Sequence, residues 1–343
     1  MKALVLKEYN KLRYEEVADP RIEDDEVLMQ VKSCGICGSD VHGIDGSTGR
    51  RIPPLIMGHE AAGVIAQVGG AVEGWKPGEQ VTMDSTVWCG ECWHCRRGEI
   101  NLCDRRRVLG VSCAEYRFNG AFAEYVAVPS RILYRIPEGV DFSRAAMVEP
   151  LAVALHAVRM ARPDIQETAV VIGAGMIGLM VLQCLKASGC ASVLVADVDT
   201  SKFGRARECG ADVVLDPQGP GFAEAVLSRT NGRGADMAFE AVGVTAAVQS
   251  ALGAVRKGGR VVLVGNVSPT IELPLQTVVT RQITLNGSCA SQGDYPACLR
   301  LLASGIVRLD PILSAEAPLS EGAAWFDRLY HREPGLMKVI LKP

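Results

Sequence analysis

The sequence predicts an α/β protein with two domains, one mostly β and one built on a doubly wound parallel sheet. Its 343 residues are a little over twice the ~150 residues typical of one domain. Up to about residue 150, short apolar runs are separated by glycine and proline, which is typical of a mostly β domain. From Thr168 onwards apolar strands alternate with helical segments, which indicates parallel strands joined by helices.

The expected elements follow in chain order. In the first half, the apolar runs at 3–6, 26–31, 62–68 and 122–128 predict strands. In the second half we expect a strand at 169–172, a helix to Ser188, a strand at 192–197, a helix through Cys209, a strand at 212–216, the segment 221–230, a strand within 235–243, a helix to Arg256 and a strand at 260–265. After Gly287 the pattern predicts a loop, a helix and a final strand near 337–343, so the two ends of the chain are expected to share one domain.

Charge and hydropathy exclude several classes of protein. The 36 basic and 39 acidic residues give a formal net charge of -3, so neither nucleic acid nor an acidic membrane surface is an expected partner. The longest apolar stretch, 169–185, is interrupted by three glycines, which favours a buried strand, turn and helix over a membrane span. The N-terminus lacks the uncharged apolar region of a secretory signal, and a cytoplasmic location is expected.

A glycine-rich turn in the second half predicts a dinucleotide site. Gly173, Gly175 and Gly178 have the spacing G-x-G-x-x-G, directly after the strand 170–172 and before an apolar helix. The first glycine permits a tight turn, the second lets the backbone approach a pyrophosphate, and the third allows close helix packing. Ile177 lies within the same turn and is expected to contact the cofactor.

The residues after the next strand indicate which nucleotide is bound. Asp197 follows Gly178 by nineteen residues, where an acid is expected to bind ribose hydroxyls. A carboxylate repels a phosphate at that place, so NAD is favoured over NADP, and Lys202 is a further candidate beside the adenosine ribose. At the carboxyl edge of the strand 260–265, Val264, Gly265 and Asn266 are expected near the nicotinamide.

Four cysteines are crowded into fifteen residues. Cys89, Cys92, Cys95 and Cys103 offer four thiolates on a short loop, which closes around one zinc ion and leaves no open position. We therefore predict a structural zinc lobe at about 86–106. The arginines within it are expected to be solvated, and His94 is expected to be a neighbour rather than a ligand.

A second set of potential ligands is spread along the chain. It comprises Cys37 in CGICGSDVHG, His59 and Glu60 in MGHEAAGVI, and Glu149 in MVEPLAVALHA. Each alone has an ordinary structural interpretation, as a core thiol, a loop histidine or a carboxylate at a helix start. Together with the glycine turn and the four-cysteine lobe, they resemble a known family over essentially the whole chain.

The chain resembles the zinc-dependent medium-chain dehydrogenases, in the branch that contains sorbitol (L-iditol) and galactitol-1-phosphate dehydrogenases. The resemblance implies a GroES-like domain at 1–150 and 288–343, and a Rossmann NAD-binding domain at 151–287. It also implies a catalytic zinc in the interdomain cleft, held by Cys37 and His59, with one of Glu60 and Glu149 completing the coordination and the other acting through water. Glu149 stands where simple alcohol dehydrogenases have a second cysteine, which favours the polyol branch. A homodimer or a homotetramer is implied.

The same resemblance implies a mechanism. Zinc makes a bound hydroxyl more acidic, and hydride passes from the substrate carbon to NAD. Ser39 is expected to touch the substrate oxygen and His42 to carry the proton to solvent, whereas His156 is expected to be core or cleft wall.

The substrate stays open at this stage. Ala290 replaces an arginine that helps to hold the polyol in sorbitol dehydrogenases, which leaves sorbitol, a polyol phosphate such as galactitol-1-phosphate, threonine and vicinal diols as alternatives. Arg50, Arg51 and the arginines of the lobe are candidates to meet a phosphate. A zinc-independent reductase and a non-catalytic nucleotide-binding protein are the alternatives from other classes.

Overall fold

The computed structural model describes all of residues 1–343, and the chain divides into two compact units. The first unit contains Met1–Glu149, Tyr295–Ala303 and Leu313–Pro343, and the second contains Pro150–Asp294 and Ser304–Ile312. The sequence prediction had placed all of 288–343 in the first domain. Residues 288–294 and Ser304–Ile312 lie instead in the second unit. There the side chain of Gln183 bonds to both backbone groups of Arg308, N at 2.7 Å and O at 2.9 Å.

Twenty strands are present, and their bounds fix the labels used below. They are β1 Lys2–Glu8, β2 Lys11–Glu16, β3 Glu26–Gly35, β4 Leu55–Ile56, β5 Glu60–Val68, β6 Gln80–Met83, β7 Thr86–Val87, β8 Arg107–Val108, β9 Val111–Ser112, β10 Arg117–Phe118, β11 Tyr125–Pro129, β12 Leu133–Arg135, β13 Thr168–Ile172, β14 Ser192–Ala196, β15 Val213–Leu215, β16 Ala235–Glu240, β17 Val255–Leu263, β18 Thr284–Gly287, β19 Leu313–Pro318 and β20 Lys338–Lys342.

Eleven helices accompany them. They are α1 Gly38–Val41, α2 Trp93–Arg96, α3 Phe142–Ala146, α4 Val148–Ala161, α5 Met176–Ala187, α6 Phe203–Glu208, α7 Phe222–Ser228, α8 Thr245–Ala254, α9 Leu275–Thr280, α10 Tyr295–Ala303 and α11 Gly322–Tyr330. None of these helices combines the length and the apolar character needed to cross a membrane.

The first unit is built around a seven-stranded sheet. Its order is β12-β6-β5-β3-β20-β19, with β11 also paired to β3, and only the β19–β20 pair is parallel. In β3 the residues Val27, Met29 and Val31 are buried while those between them are only partly buried, as expected for a strand with one face on the core. Because β3 pairs with β20, the end of the chain lies beside Cys34 and Gly35.

The second unit confirms the predicted doubly wound parallel sheet. Its order is β15-β14-β13-β16-β17-β18, and all five pairings are parallel. Every residue of β13 and β14 is buried, which matches their continuous apolar sequences. The strand order reverses between β13 and β16, and such a reversal opens a ligand crevice at the carboxyl edge.

Two predicted elements in this unit have wrong boundaries. The strand expected at 260–265 is β17, Val255–Leu263. The helix expected to continue to Arg256 ends at Ala254, because buried Val255 already pairs with Ala235 as the first residue of β17.

Candidate metal centres and cofactor site

Three potential metal ligands meet in the first unit. Cys37 lies between β3 and α1, and His59 and Glu60 lie at the start of β5. The pairing of Gly35 with Glu60 across β3 and β5 brings these segments together. One ligand atom from each of the three side chains lies within 4.8 Å of the other two.

Glu60 is the most deeply buried of the three, and its two oxygens have different surroundings. Oε2 accepts a hydrogen bond from Nζ of Lys338, whose ammonium also donates to the carbonyl of Ile36 at 2.9 Å. Oε1 is buried and has no hydrogen-bond partner. A buried carboxylate oxygen without a donor is costly, and a metal ion would satisfy it. The set of one thiol, one imidazole and one carboxylate fits Zn²⁺ and leaves a fourth position open.

Asp40 orients His59 from behind. Its Oδ2 lies 3.4 Å from Nδ1 of His59, and its Oδ1 accepts hydrogen bonds from Nε and Nη2 of Arg51 at 3.0 and 2.8 Å. Burial alone would raise the pKa of Asp40, but the charges of His59 and Arg51 outweigh it and hold that pKa well below its usual range. With Nδ1 facing a carboxylate, Nε2 is the ring nitrogen left for a metal.

The same surroundings favour the protonated form of the His59 ring. Burial alone would lower the pKa of His59, but Asp40 and Cys37 together raise it well above its ordinary value. Metal binding at this histidine therefore has to displace a proton.

Glu149 lies outside the group of three. Its Oε1 accepts a hydrogen bond from Oγ of Ser85 at 3.0 Å. Burial raises the pKa of Glu149, and the negative charge of Glu60 adds to that effect. The structure thus brings Cys37, His59 and Glu60 into mutual reach and leaves Glu149 beside them.

Ser39 and His42 flank the same site on and after α1. Oγ of Ser39 donates to Sγ of Cys37 at 3.3 Å and accepts from Nη2 of Arg51 at 3.3 Å. His42 is exposed, as a group that exchanges protons with solvent must be. No hydrogen bond joins Ser39 to His42, so a relay through this pair stays a prediction.

The second group of potential ligands is the four-cysteine loop. One sulfur from each of Cys89, Cys92, Cys95 and Cys103 lies within 4.8 Å of the others. Backbone N–H groups already point at two of these sulfurs, from Cys89 to Cys103 at 3.3 Å and from Cys95 to Cys92 at 3.4 Å. The backbone N–H of Glu91 lowers the pKa of Cys89 to about 6, and that of Cys95 lowers the pKa of Cys92, whereas burial raises the pKa of Cys95 to about 12. The ring of His94 bonds to Glu99 at 2.9 Å, away from the sulfurs.

The glycine turn of the second unit has the geometry of a phosphate cradle. Gly173 has φ +103°, a conformation that favours glycine. A Cβ at Gly178 would lie 1.8 Å from the carbonyl oxygen of Gly173, so helix α5 packs against the turn more closely than any side chain permits. Gly175, the N-cap of α5, has open space where its Cβ would be, which leaves room for a ligand at the helix N-terminus. Ile177 follows in the first turn of α5 and is half-buried.

Asp197 and Lys202 lie next to this turn. Oδ2 of Asp197 accepts from the backbone N of Ala174 at 2.7 Å, and Nζ of Lys202 lies 3.2 Å from both carboxylate oxygens. Asp197, which follows β14, is therefore hydrogen-bonded to the backbone of the glycine turn. This arrangement fits a dinucleotide whose ribose hydroxyls bind beside the loop.

Val264, Gly265 and Asn266 follow β17 at the same edge of the sheet. The backbone N–H groups of Val264 and Gly265 both donate to the carbonyl of Glu240, at 2.8 and 2.9 Å. A Cβ at Gly265 would lie 2.1 Å from the N of Gly243, so only glycine allows these two loops to meet.

Sequence reasoning missed the roles of two buried cations, Lys338 and Arg51. Lys338 carried no signal, because a lysine before the apolar run of a strand looks the same whether exposed or buried. Arg51 was considered only as a phosphate ligand, and the structure corrects that interpretation, since its guanidinium is buried and engaged by Asp40.

His156 is buried 3.4 Å from Asp294, consistent with the expected core position.

A thiol, an imidazole and a carboxylate that could hold a metal, together with a dinucleotide-binding fold, are the parts of a metal-dependent dehydrogenase. The family described as alcohol dehydrogenase GroES-like domain matches residues 23–138, and the family described as zinc-binding dehydrogenase matches 177–304. Sorbitol dehydrogenase of Bacillus subtilis is 32% identical, with 100% of this chain and 97% of that protein covered.

Two solved structures resemble the fold closely. Galactitol-1-phosphate dehydrogenase of Escherichia coli superposes with a TM-score of 0.91 at 28% identity, covering 100% of both chains. An Escherichia coli CFT073 alcohol dehydrogenase in complex with NADH superposes with a TM-score of 0.92 at 29% identity, covering 100% of this chain and 99% of that one. The chain belongs to the zinc-dependent medium-chain dehydrogenases, in their polyol dehydrogenase branch, and uses zinc and a nicotinamide cofactor.

Proposed function

We propose that the protein oxidises a secondary alcohol of a polyol by transferring hydride to NAD, with Cys37, His59 and Glu60 holding the catalytic zinc. The observation that carries this proposal is the unpartnered Oε1 of buried Glu60, which lies within reach of a thiol and an imidazole. Glu149 is proposed to act beside the metal, through water, rather than as a ligand. Cys89, Cys92, Cys95 and Cys103 are proposed to hold the second, structural zinc.

Zinc supplies Lewis acidity that lowers the pKa of an alcohol and so prepares its carbon to release hydride. The proton that the alcohol loses is transferred by residues of this chain. Ser39 has one hydroxyl proton and two lone pairs, so it can accept the alcohol proton while passing on its own. His42 is proposed as the group that delivers that proton to solvent.

NAD is proposed as the cofactor because a carboxylate occupies the ribose position. Asp197 accepts hydrogen bonds from ribose hydroxyls but repels the extra phosphate of NADP. Lys202, held against Asp197, is proposed to contact the adenosine ribose. Val264, Gly265 and Asn266 are proposed to border the nicotinamide.

Three of the arginines that are candidates to meet a substrate phosphate are already paired with carboxylates, which favours a polyol without phosphate. Arg51 is buried against Asp40, and in the lobe Arg97 and Arg105 pair with Glu99 and Glu91. An arginine paired in this way has less free charge for a substrate phosphate than an unpaired one.

We further propose that the enzyme is a homo-oligomer and acts in the cytoplasm. Strand β18 pairs only with β17 and so forms an edge of its sheet, and the exposed apolar residues Val267, Leu275 and Val279 lie in the same unit. The twelve cysteines are free thiols, which suits a reducing compartment. Light scattering on the purified protein distinguishes the proposed dimer or tetramer from a monomer.

The test of the proposed function is NADH formation by the zinc-loaded protein against polyols, polyol phosphates, vicinal diols and threonine, with NAD or NADP. We expect turnover of free polyols with NAD. Cys37→Ser should abolish it, whereas Cys113→Ser, a cysteine outside both ligand groups, should not. Full activity of Cys37→Ser would support a zinc-independent reductase, and tight NADH binding without turnover of any substrate would support a non-catalytic protein.

A further inference from the structure

A buried guanidinium lies behind the proposed proton path and has no part in the mechanism so far. The side chain of Arg51 is 4% exposed, and each of its three nitrogens is engaged. Nε and Nη2 donate to Oδ1 of Asp40, Nη1 donates to the carbonyl of Arg50 at 3.0 Å, and Nη2 also donates to Oγ of Ser39 at 3.3 Å. One planar fork therefore joins the carboxylate behind His59 to the hydroxyl beside Cys37.

The bond from Arg51 changes what the Ser39 hydroxyl can do. A serine hydroxyl has one proton to give and two lone pairs to offer. Arginine never gives up its protons, so Nη2 permanently occupies one lone pair of Ser39 Oγ. The hydroxyl proton must then point elsewhere, and in this structure it points at Sγ of Cys37. When the hydroxyl takes up the alcohol proton, its own proton has to turn from that sulfur toward the path to His42. One lone pair remains, and it is the one that can accept a proton from an incoming alcohol.

We propose that Arg51 is a positioning residue for proton transfer, which fixes the orientation of the Ser39 hydroxyl while anchoring Asp40 behind His59. This inference rests on the proposed function, because it assigns Ser39 the contact with the substrate oxygen. The planar guanidinium matters because it holds Asp40 and Ser39 at the same time. Nε and Nη2 hold Asp40, and the second contact of Nη2 reaches Ser39.

The Arg51→Lys substitution distinguishes the contact with Asp40 from the contact with Ser39. The single ammonium of lysine replaces the charge beside Asp40, but it lacks the planar fork that reaches Asp40 and Ser39 together. Arg51→Lys is therefore expected to keep the fold and both zinc ions while leaving Ser39 free to rotate. Arg51→Met removes both contacts and leaves the carboxylate of Asp40 buried without its cation.

The experiment is a double-mutant cycle of Arg51→Lys and Ser39→Ala in the zinc-loaded enzyme. Arg51→Lys is expected to lower kcat on the order of tenfold, with KM, the affinity for NADH and the zinc content unchanged. In the Ser39→Ala background the same substitution should have no further effect on kcat, because the hydroxyl that it positions is gone. Arg13→Lys, an exposed arginine of the same unit, is the matched control and should match the wild type.

A second readout does not depend on turnover. A chelator should remove zinc from the Cys37 site at the wild-type rate in Arg51→Lys, and several times faster in Arg51→Met, because only the second variant releases Asp40 from its cation. The lobe zinc serves as the internal reference.

The outcomes separate the inference from the function on which it rests. If Arg51→Lys lowers kcat by the same factor with and without Ser39, or leaves kcat unchanged, Arg51 does not act through the hydroxyl. A wild-type enzyme that turns over no alcohol contradicts the proposed function. The chelation experiment still tests the inference in that case. If zinc leaves Arg51→Met and the wild type at equal rates, Arg51 does not position His59 through Asp40.

Discussion

Replacing Lys338 with methionine removes the cation that faces Glu60. Both side chains of this ion pair have no exposed surface, and Lys338 also donates to the carbonyl of Ile36. Methionine has a similar length and no charge, so the substitution leaves the carboxylate of Glu60 buried without its partner. Removal of one member of a buried ion pair is costly, because the remaining charge has lost both water and its counter-ion.

The expected loss is about 3–5 kcal/mol of unfolding free energy. At ~2–4 °C per kcal/mol for a protein unit of this size, the unfolding transition of the first unit should fall by roughly 6–20 °C. Lys342→Met is the matched control, because Lys342 lies on the same strand and pairs with Glu316 while 46% of its side chain is exposed. An exposed pair contributes at most about 1 kcal/mol, so the control should change the transition little.

Thermal and urea unfolding of the metal-free proteins, followed by circular dichroism, measures the difference, because no zinc ion then replaces the lost cation beside Glu60. The double variant Lys338→Met with Glu60→Gln should recover part of the lost stability, because the uncompensated charge is then gone. A Lys338→Met protein as stable as the Lys342→Met control would refute the reasoning that this pair is buried and mutually dependent.

Three other predictions follow from separate parts of the structure. Gly178→Ala, whose Cβ would lie 1.8 Å from the oxygen of Gly173, should weaken NADH binding at least ~10-fold in a fluorescence titration and leave the zinc content unchanged. Burial alone would raise the pKa of Asp236, but hydrogen bonds from Arg256 and Thr168 lower it below the ordinary 3.8. Its stabilising effect is therefore present above that pH and lost as the pH falls through the lowered pKa, and urea unfolding between about pH 6 and pH 2 should depend less on pH in Asp236→Asn than in the wild type. Cys92→Ser should cost one zinc ion per chain by metal analysis and expose the lobe to limited proteolysis, and an unchanged metal count would contradict the four-sulfur site.

The doubly wound sheet was predictable from the sequence because burial on both faces leaves continuous apolar runs. Thr168–Ile172 and Ser192–Ala196 are such runs, and both are fully buried strands. Leu313–Pro318 carries no comparable pattern, since it contains a glutamate and a proline and only one of its residues is buried. It becomes a strand by pairing in parallel with β20, a tertiary interaction that local sequence does not encode.

The candidate ligands were predictable because residue type and spacing alone indicate which groups can bind a metal or a dinucleotide. The four cysteines and the three glycines each form a compact pattern, and His59 and Glu60 are adjacent. Lys338 and Arg51 were not identified, because the sequence does not distinguish a buried cation from an exposed one. Lys338 meets a carboxylate 278 residues away, and only the pairing of β20 with β3 makes that contact possible.

The central claim is that Cys37, His59 and Glu60 hold the zinc ion that drives the reaction. Zinc counted by mass spectrometry on the wild type and Cys37→Ser, with the rate of NADH formation measured on the same preparations, tests it most directly. The account predicts two zinc ions per chain in the wild type, and one in Cys37→Ser together with a rate below ~1% of the wild type. A wild-type chain with one zinc ion, all of it in the four-cysteine lobe, or a Cys37→Ser protein with full activity, would contradict it.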